Sequence, residues 1–264
     1  MAFKIIYEPK GRAREYADLA LNIYTGCSFG CTYCFSPMVL KKDRKEFHRN
    51  IKVRDKLLEQ VEKDCERSLF EDRRVHLCFT CDPYQDIDME LQTTREVLKL
   101  FKKYNVNFQI LTKGGTRAIR DFDLYKPGDN FGTTLTFVDW TIPGYNNSIR
   151  YEPRAALPTD RIEAIKKAKN AGIKTWVSLE PVINPDNALS LIHFTHEFVD
   201  LYKVGKLNTD NCQGSEHCEE LKQIERTIDW KNFGERAEAI LKRYGKEYYI
   251  KEDLRKEMVL CATR

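Results

Sequence analysis

Short apolar runs alternate with charged, amphipathic stretches along almost the whole chain, and this alternation predicts a series of β-α units. Leu19 to Tyr24, Val75 to Phe79, Val106 to Leu111, Thr133 to Phe137, Ile173 to Leu179 and Phe198 to Val204 are runs of strand length. Between them, Val53 to Leu69 places Leu57, Leu58, Val61, Cys65 and Leu69 at helical spacing, and Leu91 to Tyr104 puts Val97, Leu98 and Phe101 on one face. Further helices are predicted over Thr159 to Ala171, closed by Gly172, over Asp186 to Glu197, and through most of Leu221 to Tyr244. Tyr248-Tyr249-Ile250 can add a short final strand.

Such alternation implies βαβ units and a parallel sheet. Six strands are too few for a closed eight-stranded barrel. The expected architecture is therefore α/β, a partial (β/α)6 barrel of TIM type spanning about 17–210. A short C-terminal helical extension over 211–264 completes a single domain. An open doubly wound sheet is the alternative that pattern alone leaves standing. In either architecture the working face lies at the C-terminal ends of the strands.

Composition narrows the setting. With 264 residues, 42% of them hydrophobic and 32% charged, the chain can bury a sizeable core and reads as soluble. No apolar run approaches the roughly 20 residues that span a bilayer. The start, Met1-Ala2-Phe3-Lys4-Ile5-Ile6, lacks the apolar core of a secretion signal, so a cytoplasmic protein is expected. Lysine plus arginine number 44 against 40 acidic residues, an excess too mild to mark a nucleic-acid binder by charge but compatible with a phosphate-bearing substrate. Nine cysteines are many for such a chain. Their odd total, and the close spacing of three of them, argue against a disulfide scaffold and for metal ligation or redox chemistry.

Those three are Cys27, Cys31 and Cys34, a Cys-x3-Cys-x2-Cys loop directly after the first predicted strand. Short spacings let three thiolates converge on one centre, and Gly26 and Gly30 permit the tight loop. The local motif supplies three ligands. Electron-transfer clusters and closed structural zinc sites normally take four, so one metal position stays open for a small molecule. The alternative is a zinc loop completed by His48 or another distant residue.

With an aromatic residue, Tyr33, just before the third cysteine, this loop resembles that of the radical S-adenosylmethionine (SAM) superfamily. The resemblance implies a [4Fe–4S] cluster on Cys27, Cys31 and Cys34, SAM as cofactor, and Tyr33 beside the adenine. It also implies reductive cleavage of SAM to a 5′-deoxyadenosyl radical, with electrons from a donor such as flavodoxin or ferredoxin. Four further stretches are similar to the spore photoproduct lyase-like branch: Asn22-Ile23-Tyr24-Thr25-Gly26-Cys27, Thr80-Cys81-Asp82-Pro83-Tyr84-Gln85, Thr112-Lys113 and Tyr244-Gly245-Lys246-Glu247-Tyr248-Tyr249.

Other candidates follow from position at strand ends. Lys113 can pair with the SAM carboxylate, a role the resemblance also implies; the alternative is a rim lysine. Asp82 can accept from the SAM ammonium or ribose, or form an Asx turn before Pro83. Glu180, before Pro181, can hold ribose hydroxyls, against a plain rim salt bridge. Thr134, Thr136, Lys203 and Asn208 are lesser candidates. Spore photoproduct lyase-like chemistry implies a cysteine that returns a hydrogen atom, and Cys81 is the candidate; Cys78, three residues earlier on an extended strand, points to the opposite face. Cys212, Cys218 and Cys261 are read as incidental rather than as ligands of a second cluster. His193 and His196 are read as structural.

Three functions are in view. The first is a radical SAM enzyme acting on a nucleic-acid base, the second the same chemistry on a peptide or small metabolite. The third is a non-catalytic metal module that binds nucleic acid.

Overall fold

The computed structural model describes residues 5–67, 70, 72–138, 147–210 and 212–260. Seven strands, β1 (Leu19–Leu21), β2 (Val75–Leu77), β3 (Phe108–Thr112), β4 (Asn130–Thr134), β5 (Lys174–Leu179), β6 (Leu201–Val204) and β7 (Glu247–Ile250), form one sheet. They lie in sequence order and every neighbouring pair is parallel. The helices are α1 (Ser36–Val39), α2 (Arg44–Arg49), α3 (Leu57–Glu66), α4 (Asp86–Leu91), α5 (Thr93–Lys103), α6 (Asn147–Tyr151), α7 (Pro158–Asn170), α8 (Pro185–Thr195), α9 (Cys218–Thr227), α10 (Trp230–Arg243) and α11 (Glu252–Leu260). The final short strand takes a full place beside β6, so the sheet has seven strands rather than six, and the C-terminal extension is not only helical.

The sheet is rolled into an arc. His76 of β2 and Trp176 of β5 are three strand spacings apart, which in a flat sheet is about 14 Å. Their ring centroids are nevertheless 6.1 Å apart, with Tyr16 between them at 5.8 and 6.0 Å. Only a concave sheet brings those side chains together, the geometry of a partial barrel. Tyr16 comes from the N-terminal segment, which pairs with β1 through Tyr7 and Ala20 and makes a 3-10 turn over Gly11–Glu15. Apolar stripes of the outer helices cover the convex side: Leu57, Val61 and Cys65 of α3, Val97, Leu98 and Phe101 of α5, and Ile162, Ile165 and Ala168 of α7 are buried.

Several boundaries differ from expectation. β1 and β2 stop at Leu21 and Leu77 because the Asn22 carboxamide takes over, its Oδ1 accepting from the amides of Phe79 and Thr80 at 2.9 Å each. β4 begins at Asn130, not Thr133. The expected strand begins only after Gly132. Asp129 in fact caps the strand entry by accepting from Phe108 N at 2.9 Å, and a Cβ on Gly132 would sit 2.3 Å from the Trp176 indole. α3 ends at Glu66; Leu69, at the end of the predicted helix, lies outside the described residues. Among the described residues no helix is long and apolar enough to cross a membrane.

Candidate active site

The cysteine loop leaves β1 and is held by backbone contacts that leave its thiols free. Gly26 has φ +155°, and a Cβ there would meet the Phe47 carbonyl at 2.7 Å. Gly30 has φ +66°, and a Cβ there would lie 3.0 Å from the Arg154 guanidinium, so both positions require glycine. Gln85, fully buried, clamps the loop: its Oε1 accepts from Ser28 N at 2.7 Å and its Nε2 donates to the Gly26 carbonyl at 3.1 Å. Thr32 N donates to Tyr151 O at 2.9 Å, and the Arg44 guanidinium donates to the carbonyls of Cys34 (2.7 Å) and Cys31 (3.4 Å).

Cys27, Cys31 and Cys34 are unpaired and line one cavity of about 460 Å³, a volume within the usual small-molecule range. Burial pushes the Cys27 thiol well up and the Cys31 thiol to about 12, although the Lys113 ammonium works against the latter. Ligation to a metal would offset that cost, because it stabilises the thiolate. Among the described residues no three His, Cys, Asp or Glu side chains are gathered as the ligands of a single ion. The donor set is three thiols on one cavity wall with no fourth His or Cys from the loop, which suits an iron–sulfur cluster with one open position better than a closed four-ligand zinc site. His48 is not part of the cavity wall; its Nδ1 bonds the Cys27 carbonyl at 2.8 Å.

The other predicted residues gather around the same cavity. Tyr33, Cys78, Cys81, Asp82, Lys113, Thr134, Glu180 and Asn208 all line it. The Lys113 ammonium lies 5.5 Å from the Tyr33 ring centroid. Asp82 makes the Asx turn: it accepts from Tyr84 N at 2.9 Å, Thr112 Oγ1 at 2.6 Å and Lys113 N at 2.7 Å, tying the loop after β2 to the end of β3. Burial still pushes its carboxyl up. Glu180 is held in a rim network, accepting from Tyr16 OH and Lys251 Nζ at 2.6 Å each and from Arg12 at 3.2 Å.

Cys78 does not face away from Cys81. Because β2 ends at Leu77, strand alternation no longer applies, and both thiols reach the cavity. Thr136 is buried but is not in the cavity wall. His193 and His196 are structural, engaging Tyr244 through a 2.7 Å bond and a stacked ring at 3.8 Å. Cys212 and Cys218 are bonded to each other, so they are neither incidental thiols nor ligands of a second cluster; Cys261 lies outside the described residues.

Several site residues gave no sequence signal. Tyr33 OH donates to Glu152, and Glu152 accepts from Arg161 Nη2 at 2.5 Å. Arg161 is fully buried and also donates to the carbonyls of Ala156 (2.8 Å) and Thr134 (3.1 Å). Lys251, just after β7, was equally unmarked.

Lys203 does not line the cavity; it is buried, donating to the carbonyls of Glu15 (2.8 Å) and Tyr16 (3.1 Å). Burial, with Lys251 nearby, pushes its ammonium down to about 8. Below pH 8 the lysine is protonated folded and unfolded, and its buried charge is a net cost. Between pH 8 and the unfolded value near 10.4 the unfolded chain binds the extra proton, so stability rises with pH. Relative to Lys203→Met, the wild type should gain roughly 3 kcal/mol across that window, read from urea unfolding midpoints at pH 7 and pH 10.5.

A rolled parallel sheet with three free thiols on its C-terminal lip defines an α/β-barrel enzyme with a thiol-lined site. The profile of the radical SAM superfamily matches residues 21–194, and the chain belongs to that superfamily, whose enzymes use a [4Fe–4S] cluster and SAM. An uncharacterized protein of Methanocaldococcus jannaschii is 25% identical over 197 residues, covering 73% of this chain and 71% of that protein. An uncharacterized protein of Acidianus two-tailed virus is 26% identical over 198 residues, covering 69% of this chain and 62% of that protein. Among solved structures, a spore photoproduct lyase variant with bound AdoMet and dinucleoside spore photoproduct superposes with a TM-score of 0.64 at 14% identity, over 91% of this chain and 78% of that one. Streptococcus suis SuiB bound to S-adenosylmethionine gives 0.59 at 12% identity, over 88% of this chain and 49% of SuiB. These structural likenesses concern the fold.

Proposed function

We propose that the cavity is a radical SAM active site that abstracts a hydrogen atom from a nucleic-acid base, in the manner of a photoproduct lyase. The observation that carries it is the open lip of three unpaired thiols facing Lys113, Tyr33 and Glu180 across one cavity. Cys27, Cys31 and Cys34 would hold the cluster. With SAM bound, the cluster supplies reductive cleavage to methionine and a 5′-deoxyadenosyl radical.

The protein's part is positioning. Lys113 pairs with the SAM carboxylate, and Asp82 fixes its backbone and that wall of the cavity. Tyr33 would pack beside the adenine, its hydroxyl anchored by Glu152, which Arg161 holds in turn. Glu180, oriented by Tyr16 and Lys251, accepts from the ribose hydroxyls. Cys81 would return a hydrogen atom to the product radical: its S–H bond breaks, a C–H bond forms, and the thiyl is restored by an electron from the reductant and a proton from solvent. The nucleic-acid reading draws on the spore photoproduct lyase structures, which hold a dinucleoside photoproduct. The peptide reading draws on SuiB with its precursor peptide.

Anaerobic reconstitution with iron and sulfide should give a brown protein that forms 5′-deoxyadenosine under dithionite. A colourless protein without cleavage would sink the proposal. Irradiated DNA carrying deuterium should pass label into 5′-deoxyadenosine; absence of transfer above background, with transfer from a peptide pool, moves the substrate to the second class. Cys81→Ala should keep SAM cleavage near wild type while clean product falls by about tenfold or more and by-products accumulate. Undiminished clean turnover removes Cys81 as donor.

A further inference from the structure

One pair of cysteines stands outside the site. Among the described cysteines Cys27, Cys31, Cys34, Cys65, Cys78 and Cys81 are free, whereas Cys212 and Cys218 form a disulfide. A bonded pair in a chain that otherwise carries free thiols is a candidate for reversible redox chemistry. The disulfide closes a loop between β6 and the start of α9. Cys212 and Cys218 are buried, while Gln213, Gly214 and Glu216 between them are exposed. Turn bonds from Ser215 N to Cys212 O (3.0 Å) and from Cys218 N to Ser215 O (3.3 Å) fold the loop around the S–S bond.

Two bridges join this segment to one half of the cysteine loop. The Arg44 guanidinium makes the first: its Nε donates to the Gln213 carbonyl, inside the disulfide loop, at 3.4 Å, and its Nη atoms donate to the carbonyls of Cys31 and Cys34. Tyr151 makes the second. Its carbonyl accepts from Thr32 N at 2.9 Å, and its hydroxyl donates at 2.8 Å to Glu220, in the first turn of α9 just past Cys218. Glu220 also accepts from Arg150 at 2.7 Å and lies 3.3 Å from His217 Nδ1, whose ring is 5.4 Å from that of Tyr151. The other half of the cysteine loop has separate supports: Gln85 holds Ser28 N and the Gly26 carbonyl, and Cys27 N donates to Phe47 O at 3.3 Å. The state of the disulfide therefore bears on Cys31 and Cys34 rather than on Cys27.

We propose that Cys212 and Cys218 form a redox-reversible clasp on the Cys31–Cys34 half of the cysteine loop, opened by a dithiol. One thiolate of the dithiol attacks a sulfur of the disulfide, and its second thiolate displaces the resulting mixed disulfide. The protein's S–S bond is broken, the two protons of the dithiol end on Cys212 and Cys218, and the dithiol leaves as its own disulfide. Closed, the cross-link restricts the conformations of the loop that presents the Gln213 carbonyl and leads into α9. Open, that segment can unfold locally, and the Arg44 and Tyr151 bridges lose their fixed partners. The consequence for a metal rests on the radical SAM reading; the movement of the loop does not.

The test reads backbone amide exchange in the metal-free full chain before and after dithiothreitol, with alkylation and mass spectrometry reporting the state of Cys212 and Cys218. Reduction should speed exchange of the Thr32 and Cys34 amides by about tenfold and leave that of Ser28 unchanged. Cys212→Ser with Cys218→Ser should show the fast rate with or without dithiothreitol, and the reduced wild type gives the same comparison with no substitution. In the anaerobically reconstituted chain, the double variant should yield iron to a chelator at least about fivefold faster than the oxidised wild type. Equal exchange at Thr32 in the oxidised and reduced wild type would overturn the clasp, as would alkylation of both cysteines without prior reduction. Equal iron release would overturn its effect on the metal site. Exchange that responds to dithiothreitol in a chain that assembles no cluster would uphold the clasp and overturn the radical SAM reading alone.

Discussion

Replacing any one of Cys27, Cys31 or Cys34 with alanine is expected to lower SAM cleavage by at least ~10³-fold, about 4 kcal/mol of transition-state stabilisation. The reason is ligand count. The loop offers three thiols, and His48, the nearest alternative considered from sequence, is held on the Cys27 carbonyl and does not line the cavity. Cys78 and Cys81 line the same cavity but belong to the loop beyond the end of β2, not to the cysteine loop. A two-cysteine site therefore has no ready replacement ligand, and iron content and the brown absorbance should fall with activity. The fold should survive. The loop is fastened through backbone groups by Gln85, Arg44 and Tyr151, none of which uses a cysteine sulfur. Near-native circular dichroism with iron lost is the expected pair of readings. A variant that keeps its iron and its cleavage rate would show that the thiol in question is no ligand.

The cysteine loop was legible because its information is local: three ligands within eight residues, glycines where the backbone must turn, and a preceding apolar run. Lys113 and Glu180 were legible through one rule, that strand C-termini of a parallel α/β sheet form the working face, and both line the cavity. The rule could not say how each side chain is used. Asp82 could be named, but only in the fold does it span two loops with three accepted bonds. Strand lengths misled where a side chain substitutes for the ladder, as Asn22 does beyond β1 and β2. Gly132 broke the apolar pattern of β4 because its missing side chain makes room for Trp176, a residue more than forty positions away. Long-range fits of that kind leave no periodic trace.

Arg161 is the sharpest such case, and it carries the second large prediction. In sequence it is a charged residue in the first turns of an amphipathic helix, indistinguishable from a solvent-facing one. In the fold it is fully buried and neutralises Glu152, itself buried. Burial alone would raise the Glu152 carboxyl, but the Arg161 and Lys113 cations outweigh it and hold the group below its usual range. A carboxyl depressed in this way stabilises the fold above the unfolded carboxylate range and loses that contribution as pH falls through the folded value. Arg161→Met strands the carboxylate without its partner, and such a break costs about 3–5 kcal/mol, or a melting temperature lower by about 10 °C for a chain of this size. Pairing Arg161→Met with Glu152→Gln removes both charges and should recover a large part of that loss. The double variant nevertheless leaves Tyr33 with a weaker anchor than a carboxylate, so its KM for SAM should stay raised while stability returns. If stability and KM recover together, the pair serves the fold alone; if KM stays high in a restored fold, Glu152 and Arg161 act on the cofactor site by positioning Tyr33.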